Sequence, residues 1–192
     1  MRKAIGLLLI FLTGLLFSGC AYRAPISDTV FINKDYDFSN IKRVAILPFE
    51  NLTEDRSAGE IIRFMVYNEI QKFVEAIPPG DVEKILKQKN ITKLSEISRE
   101  DLKGLAKTLQ VDAFITGYVY KYGEARTGSL SIPEVAFSLN IIEPEEGSII
   151  FSVTKFETSD SFLARHFGVG ITTVNKLALK IVREALNEFK NL

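Results

Sequence analysis

Hydrophobic and polar positions along the chain first follow patterns typical of a buried strand and an amphipathic helix. Residues 43–49 are almost wholly apolar, which predicts a short buried strand. Pro48 lacks the N–H that a ladder requires, so we expect the strand to end near it. An apolar stripe with spacings of three and four follows and predicts a helix. Its residues are Ile62, Met65, Val66, Ile70 and Phe73.

Two further helices are predicted before the periodicity changes. Asp81 can cap the first of them, and Val82, Ile85 and Leu86 then face inward. Ser98, with Asp101 three residues later, fits a capping box at the start of the second. The inward residues of that helix are Leu102, Leu105, Ala106 and Leu109. The segment 76–80 interrupts the helical pattern and can hold a very short strand.

The period then changes from 3.6 to 2, which indicates strands. A long strand is predicted over residues 111–122, and residues 133–142 alternate cleanly between apolar and polar. Residues 143–147 predict a hairpin loop, and residues 148–156 its partner strand. The last helix is strongly amphipathic. Its apolar residues are Val174, Leu177, Ala178, Ile181, Val182, Ala185 and Phe189.

The predicted element order is therefore β-α-(β)-α-α-β-β-β-α. One small mixed sheet with helices mainly on one face accounts for this order, which gives an α/β (α+β) fold class. The elements place a single domain at residues 41–192. Residues 20–40 are polar, contain Pro25 and predict a linker, in which residues 30–32 are apolar enough to pack on the domain.

The N-terminus has the features of a secretory signal. Arg2 and Lys3 precede fourteen uncharged residues, 4–17, a stretch shorter than the roughly 20 residues of a membrane-spanning helix. It ends in Ser18-Gly19-Cys20, which resembles a bacterial lipobox. The resemblance implies a signal peptide at residues 1–19 and a lipid-modified Cys20. Ala21, rather than Asp, follows the cysteine, which favours the outer membrane, with the domain on its periplasmic face.

Composition excludes several classes of function. The 192 residues carry 24 Lys plus Arg against 24 Asp plus Glu, so a polybasic nucleic-acid binder is not expected. The one Cys cannot form an intrachain disulfide, and with one His the chain cannot supply a usual zinc site. We therefore expect no metal and no cofactor, apart from the covalent lipid on Cys20.

Three segments of the chain resemble those of CsgG-like and TolB amino-terminal domains. Residues 44–53 (VAILPFENLT) are similar to the opening strand and turn of that family. Residues 105–118 (LAKTLQVDAFITGY) resemble its helix followed by a strand with an aliphatic-x-Gly signature. Residues 139–150 (LNIIEPEEGSII) are similar to its hairpin, in which a Gly precedes the second strand. The segments occur in the family's order over roughly residues 41–190.

The resemblance implies an anticodon-binding-domain-like fold without catalytic activity. The family includes the curli secretion lipoprotein, lipoproteins that activate penicillin-binding proteins, and flagellar basal-body proteins. It implies envelope proteins as partners and assembly into an oligomer. No small-molecule substrate is expected from it.

The chain contains several residue types that occur in active sites. Asp160, Ser161 and His166 are hydrolase residue types, but no G-x-S-x-G elbow surrounds the serine, so loop and helix-start roles are favoured. Gly168 and Gly170 lack the third glycine of a dinucleotide loop. The carboxylates of residues 143–146 belong to a hairpin tip, where turn charges are typical.

The best candidate for binding is a tyrosine stripe. Tyr118, Tyr120 and Tyr122 alternate along one predicted strand, which places all three on one sheet face. Exposed tyrosines are common on partner surfaces, although burial of this face under a helix or loop is the alternative. Arg126, in the following loop, extends the patch.

The sequence favours a lipid-anchored periplasmic protein that docks or assembles other envelope components, such as a secretion or surface-structure complex. An activator of a peptidoglycan synthase is the alternative within the same class. A small envelope hydrolase that uses His166 represents the enzymatic class, and a channel subunit a third. We expect the protein to act without catalysis.

Overall fold

The computed structural model describes residues 28–91, 97–127, 130–159 and 172–192. Within these ranges the chain forms seven strands, which make one mixed sheet, and four α-helices. The strands are β1 (Thr29–Ile32), β2 (Arg43–Ile46), β3 (Glu50–Asn51), β4 (Glu75–Ile77), β5 (Ala113–Thr127), β6 (Leu130–Ile142) and β7 (Ile149–Thr158). The helices are α1 (Ala58–Ile70), α2 (Pro79–Gln88), α3 (Arg99–Leu109) and α4 (Val174–Lys190).

The strands of the sheet follow the order β1-β7-β6-β5-β2-β4, with β3 paired to β5 beside β2. The strand pairs β2–β4, β2–β5 and β3–β5 are parallel. The strands β5, β6 and β7 form an antiparallel meander, and β1 adds to β7 antiparallel. The fold class and the predicted order of elements are confirmed, with β1 and β3 in addition.

Helices pack on both faces of the sheet, whereas the prediction placed them mainly on one face. On one face α1 and α4 pack on residues such as Val44, Ile46 and Phe137. On the other, α2 and α3 pack on Ala45 and Leu47. The continuous apolar run of β2 is the physical reason, because a parallel strand buried on both faces has no polar side.

The helix starts show how local sequence positions these layers. Ser98 Oγ accepts the backbone N–H of Asp101, whose carboxylate accepts the N–H of Ser98 in return, so the predicted capping box of α3 is confirmed. For α2 the predicted cap is wrong. The helix begins at Pro79, with Asp81 in its first turn, because proline is favoured at the first helical position.

Part of the predicted linker belongs to the sheet. Residues 29–32 form β1, whose Phe31 pairs with Ser152 of β7, and a short 3₁₀ helix follows at Phe38–Asn40. The link to β7 is reinforced by the side chain of Lys155, which donates to Asp28 at 2.7 Å. The predicted lipid attachment site, Cys20, therefore lies only a few positions before Asp28, the first residue that the structure describes.

Candidate docking surface on the open sheet face

The helices α2 and α3 cover only half of their face of the sheet. The α2 and α3 helices pack on β2 and on the start of β5, in a cluster that includes Ala45, Leu47 and Phe114. Beyond that point the same face carries side chains that are at least partly exposed, among them Thr116, Tyr118, Tyr120, Asn140 and Ser152. We call this area, from Thr116 of β5 to Ser152 of β7, the open face.

Two tyrosines dominate the open face. Tyr118 and Tyr120 are 38% and 43% exposed, and their rings stack with centroids 6.2 Å apart and planes inclined by 14°. Such an aromatic pair offers a flat apolar area with hydroxyl groups at its rim, which is the chemistry that protein interfaces favour.

A β-bulge explains why Tyr120 joins this pair. Val119 pairs with Phe137, but Lys121 pairs with Ala136, so Tyr120 is an extra residue without a partner on β6. A bulge locally breaks the alternation of a strand. Consequently Tyr118, Tyr120 and Lys121 all lie on the open face.

The same bulge places Tyr122 on the opposite face, so the predicted stripe of three tyrosines is wrong. Tyr122 packs against the core beneath α4, and its hydroxyl donates to Asn175 Oδ1 near the start of that helix. Burial, and then the negative charge of Asp55, raise the pKa of Tyr122 above its ordinary value. Tyr122 therefore joins β5 to α4.

Arg126 does not extend the tyrosine pair either. It is exposed and lies opposite Ser131 near the far end of the β5–β6 hairpin. Arg126 and Tyr122 are four positions apart along one strand, so they share a face by alternation. The predicted patch is thus reduced to Tyr118 and Tyr120.

The strands β5 and β6 approach each other closely beside the two tyrosines. Ser138 is almost fully buried, and its Oγ lies 3.2 Å from the Tyr120 hydroxyl and 3.3 Å from the Tyr118 backbone N. A Cβ on Gly117 would lie 1.8 Å from the Ser138 carbonyl oxygen. The glycine of the aliphatic-x-Gly signature is therefore required by packing at this position.

Polar side chains on the open face are tied to one another or to the backbone. Ser152 Oγ donates to Asn140 Oδ1 at 2.7 Å, and Thr116 Oγ1 donates to the Pro48 carbonyl at 3.0 Å. Lys121 binds Glu134 at 2.8 Å, and its Nζ lies 5.5 Å from the centroid of the Phe156 ring. These contacts hold the surface in one arrangement, which favours recognition of a folded partner.

Arg63 of α1 is a buried charge that the sequence analysis did not identify. Its guanidinium is fully buried and donates to the Ile46 carbonyl, to the Pro79 carbonyl at 3.3 Å and to Glu83 at 2.8 Å. It thereby joins β2, α1 and α2. Its position next to Ile62, on the apolar stripe of α1, is the one signal in the sequence that could have indicated burial.

The remaining candidate residues fall into two groups. The loop carboxylates contact α3, because Glu146 binds Arg99 at 3.2 Å and Glu145 binds Lys103 at 3.3 Å, so they serve as turn and ion-pair charges. Outside the described residues lie Cys20, Asp160, Ser161, His166, Gly168 and Gly170.

The described ranges contain neither a metal-ligand cluster nor a membrane-spanning helix. No group of three or more potential ligands (His, Cys, Asp or Glu) is placed to hold a metal ion there. The helices of those ranges also include none that is long and apolar enough to cross a bilayer.

Comparison with known proteins gives structural similarity without sequence similarity. No family model matches the chain, and no curated protein matches it. The PelC dodecamer from Paraburkholderia phytofirmans aligns with a TM-score of 0.57 and 16% identity, over 85% of this chain and 96% of that one.

Two other solved structures are similar. Lipoprotein GNA1162 from Neisseria meningitidis aligns with a TM-score of 0.55 and 18% identity, over 79% of this chain and 99% of that one. The hypothetical protein CT253 from Chlamydia trachomatis gives 0.51 and 12%, over 79% and 96%. The chain therefore shares its fold with solved bacterial proteins that include a lipoprotein.

Proposed function

We propose that the protein is a lipid-anchored docking factor, without catalytic activity, that assembles a complex of the bacterial envelope from the periplasmic face of the outer membrane. The open face carries this proposal. It is an ordered sheet surface with a stacked, exposed tyrosine pair and without a helix over it among the described residues.

The anchor and the fold support the same function. Cys20 ends a lipobox-like segment, and acyl chains on such a residue confine a domain to the membrane surface. The fold is shared with a protein described as a lipoprotein and with one that assembles as a dodecamer. The resemblance of residues 44–53 and 105–118 to CsgG-like and TolB amino-terminal domains agrees with this proposal.

The anchor is tested by fractionation. The natural chain should sediment with outer membranes, and the Cys20→Ala variant should be found in the soluble periplasmic fraction. Soluble natural protein would refute the anchor.

The docking surface is tested by a double substitution, Tyr118→Ser with Tyr120→Ser. Both side chains are partly exposed, so the fold should persist, as judged by an unchanged circular dichroism spectrum. Partners that crosslink to the natural protein in membranes should be lost. Phe64→Ser is the matched control, since Phe64 is an aromatic residue of α1 with 48% exposure. Retention of the same partners by the double variant would refute the role of this surface.

Absence of catalysis is tested at His166. Because a docking factor does not use an imidazole as a general base, the His166→Ala variant should support assembly of the complex as the natural protein does. A loss of function in this variant, with the fold and the partner contacts intact, would favour the hydrolase instead.

A further inference from the structure

The β1 strand leaves the outer edge of the sheet open. It is the last strand at this side in the described part of the chain. Its apolar residues Val30, Phe31 and Ile32 are 42%, 54% and 37% exposed. The strand Thr29–Ile32 contains no charge and no proline, although these are the features by which edge strands usually avoid association.

The ladder with β7 fixes where the free backbone groups of β1 point. Asn33 N donates to the Ile150 carbonyl at 2.8 Å, and Phe31 pairs with Ser152 two positions back. Bonded and non-bonded positions alternate in an antiparallel pair. The N–H and C=O groups of Val30 and Ile32 therefore point away from the sheet. Another strand satisfies such groups, whereas the apolar part of a bilayer does not.

We propose that β1 pairs antiparallel with β1 of a second copy of this chain on the same membrane surface. With the two-fold axis at Phe31, Val30 of one copy lies opposite Ile32 of the other, and the outward backbone groups of these residues bond to each other. The two Phe31 residues then form a non-bonded pair, with Cα atoms about 4.5 Å apart. Apolar side chains meet apolar side chains, and no like charges oppose each other.

The contact is too small to be stable unless both copies are confined to a membrane. A stable interface buries roughly 1,200–2,000 Å² with about 20–30 residues on each side, whereas the strand offers four residues. The pairing is therefore weak in solution, and confinement to a surface strengthens it through effective concentration. Residues 21–27 lie between Cys20 and Asp28 and span at most about 28 Å, which keeps both edges near one bilayer. This inference rests on the proposed anchor.

Disulfide trapping of the lipidated full-length protein in lipid vesicles tests the pairing. The chain has one cysteine, the proposed lipid site Cys20, so Phe31→Cys introduces the only free thiol of the lipidated protein. The expected Cα separation lies within the range of a disulfide, about 4.4–6.8 Å. Phe64→Cys is the control, because Phe64 has 48% exposure and lies on α1.

Under mild oxidation, Phe31→Cys should give at least about tenfold more intermolecular disulfide than Phe64→Cys on vesicles, and much less in dilute detergent. Addition of Val30→Lys should abolish the product, because each lysine then lies opposite Ile32 of the other copy and the two like charges are diagonal neighbours across the axis. Vesicle-bound protein without a preferential Phe31→Cys disulfide would overturn this inference alone. A thiol that is shielded from water-soluble maleimide without forming a disulfide would also overturn it, since another occupant covers the edge. Protein that does not bind vesicles would overturn both the pairing and the anchor.

Discussion

The two halves of the sheet differ in how completely helices cover them. The closed half, β2 with β4 and the start of β5, lies between helices on both faces. The open half, β6, β7 and the rest of β5, has helices on one face only among the described residues, and β1 at its edge is exposed at all four positions. The closed half is therefore specified by packing, while the open half keeps a surface free for partners. The following predictions test this difference.

The largest effect is expected where the two halves meet. Gly117→Ala places a Cβ 1.8 Å from the Ser138 carbonyl oxygen, which forces β5 and β6 apart and should cost about 5 kcal/mol or more. Urea unfolding measures the loss. Gly80→Ala is the control: nothing lies within 4 Å of a Cβ at that position of α2, so stability should rise by about 0.5 kcal/mol. Equal effects at both glycines would contradict the close approach of the strands.

A pair of aromatic truncations compares the halves directly. Phe114 of the closed half is fully buried, and Phe114→Ala should cost about 3–5 kcal/mol through lost burial and a cavity. Tyr120→Ala, on the open face, should cost less than about 1 kcal/mol because Tyr120 is already partly hydrated. Both values come from denaturant midpoints at equal m-value. A cost at Tyr120 as large as that at Phe114 would show that the open face is covered in the isolated protein.

The closed half also depends on a buried charge. Arg63→Met removes the donors that satisfy the Ile46 and Pro79 carbonyls and should cost about 2–3 kcal/mol, since buried acceptors are left unpaired. Arg183→Met is the matched control, because Arg183 is 53% exposed and forms an ion pair with Glu69. That control should cost much less, because an exposed ion pair contributes little to stability.

The smallest effect is expected at the ion pair between Glu69 of α1 and Arg183 of α4, the two helices that pack on the same face of the sheet. The hydrogen bond from Arg183, followed by that from Lys72, holds the pKa of Glu69 below its ordinary value of 4.5 against the opposing effect of burial. A lowered carboxylate pKa stabilises the fold above the pKa of the unfolded chain, and this contribution is lost as pH falls through the folded pKa.

The variant Glu69→Gln should therefore be less stable than the natural protein by about 0.5 kcal/mol at pH 7. The difference should shrink towards zero as the pH falls below 4.5. Denaturant titrations at several pH values check the sign, and a difference that grows in acid would refute it.

Sequence periodicity predicted most of the closed half and of the meander. The strand predicted within residues 43–49 is found as Arg43–Ile46, and the capped helix after Ser98 and the alternation of Val135, Phe137 and Leu139 are also found in the structure. These features are local, because each follows from burial or capping within one element. Residues 44–47 are apolar at successive positions, so both sides of this strand are apolar, which indicated helices on both faces of the sheet. The prediction rested on the number of helices and did not use this signal.

The candidate site depended on a non-local feature. Alternation placed Tyr118, Tyr120 and Tyr122 together, but the bulge at Tyr120 is defined by pairing with β6, which the sequence of β5 alone does not contain. Arg63 was missed for a similar reason. Its acceptors are carbonyls of Ile46 and Pro79. Because every residue has a backbone carbonyl, the sequence does not show which carbonyls lie near Arg63.

The proposed docking function requires that a partner covers the open face in the cell and that this face is free in the isolated protein. Labelling of a Tyr120→Cys variant with a water-soluble maleimide measures this directly, in purified lipidated protein and in intact envelopes, with Phe64→Cys as reference. We predict that Tyr120→Cys reacts readily when purified and at least about tenfold more slowly in envelopes, while Phe64→Cys reacts similarly in both. Equal reactivity of Tyr120→Cys in both preparations would contradict the account.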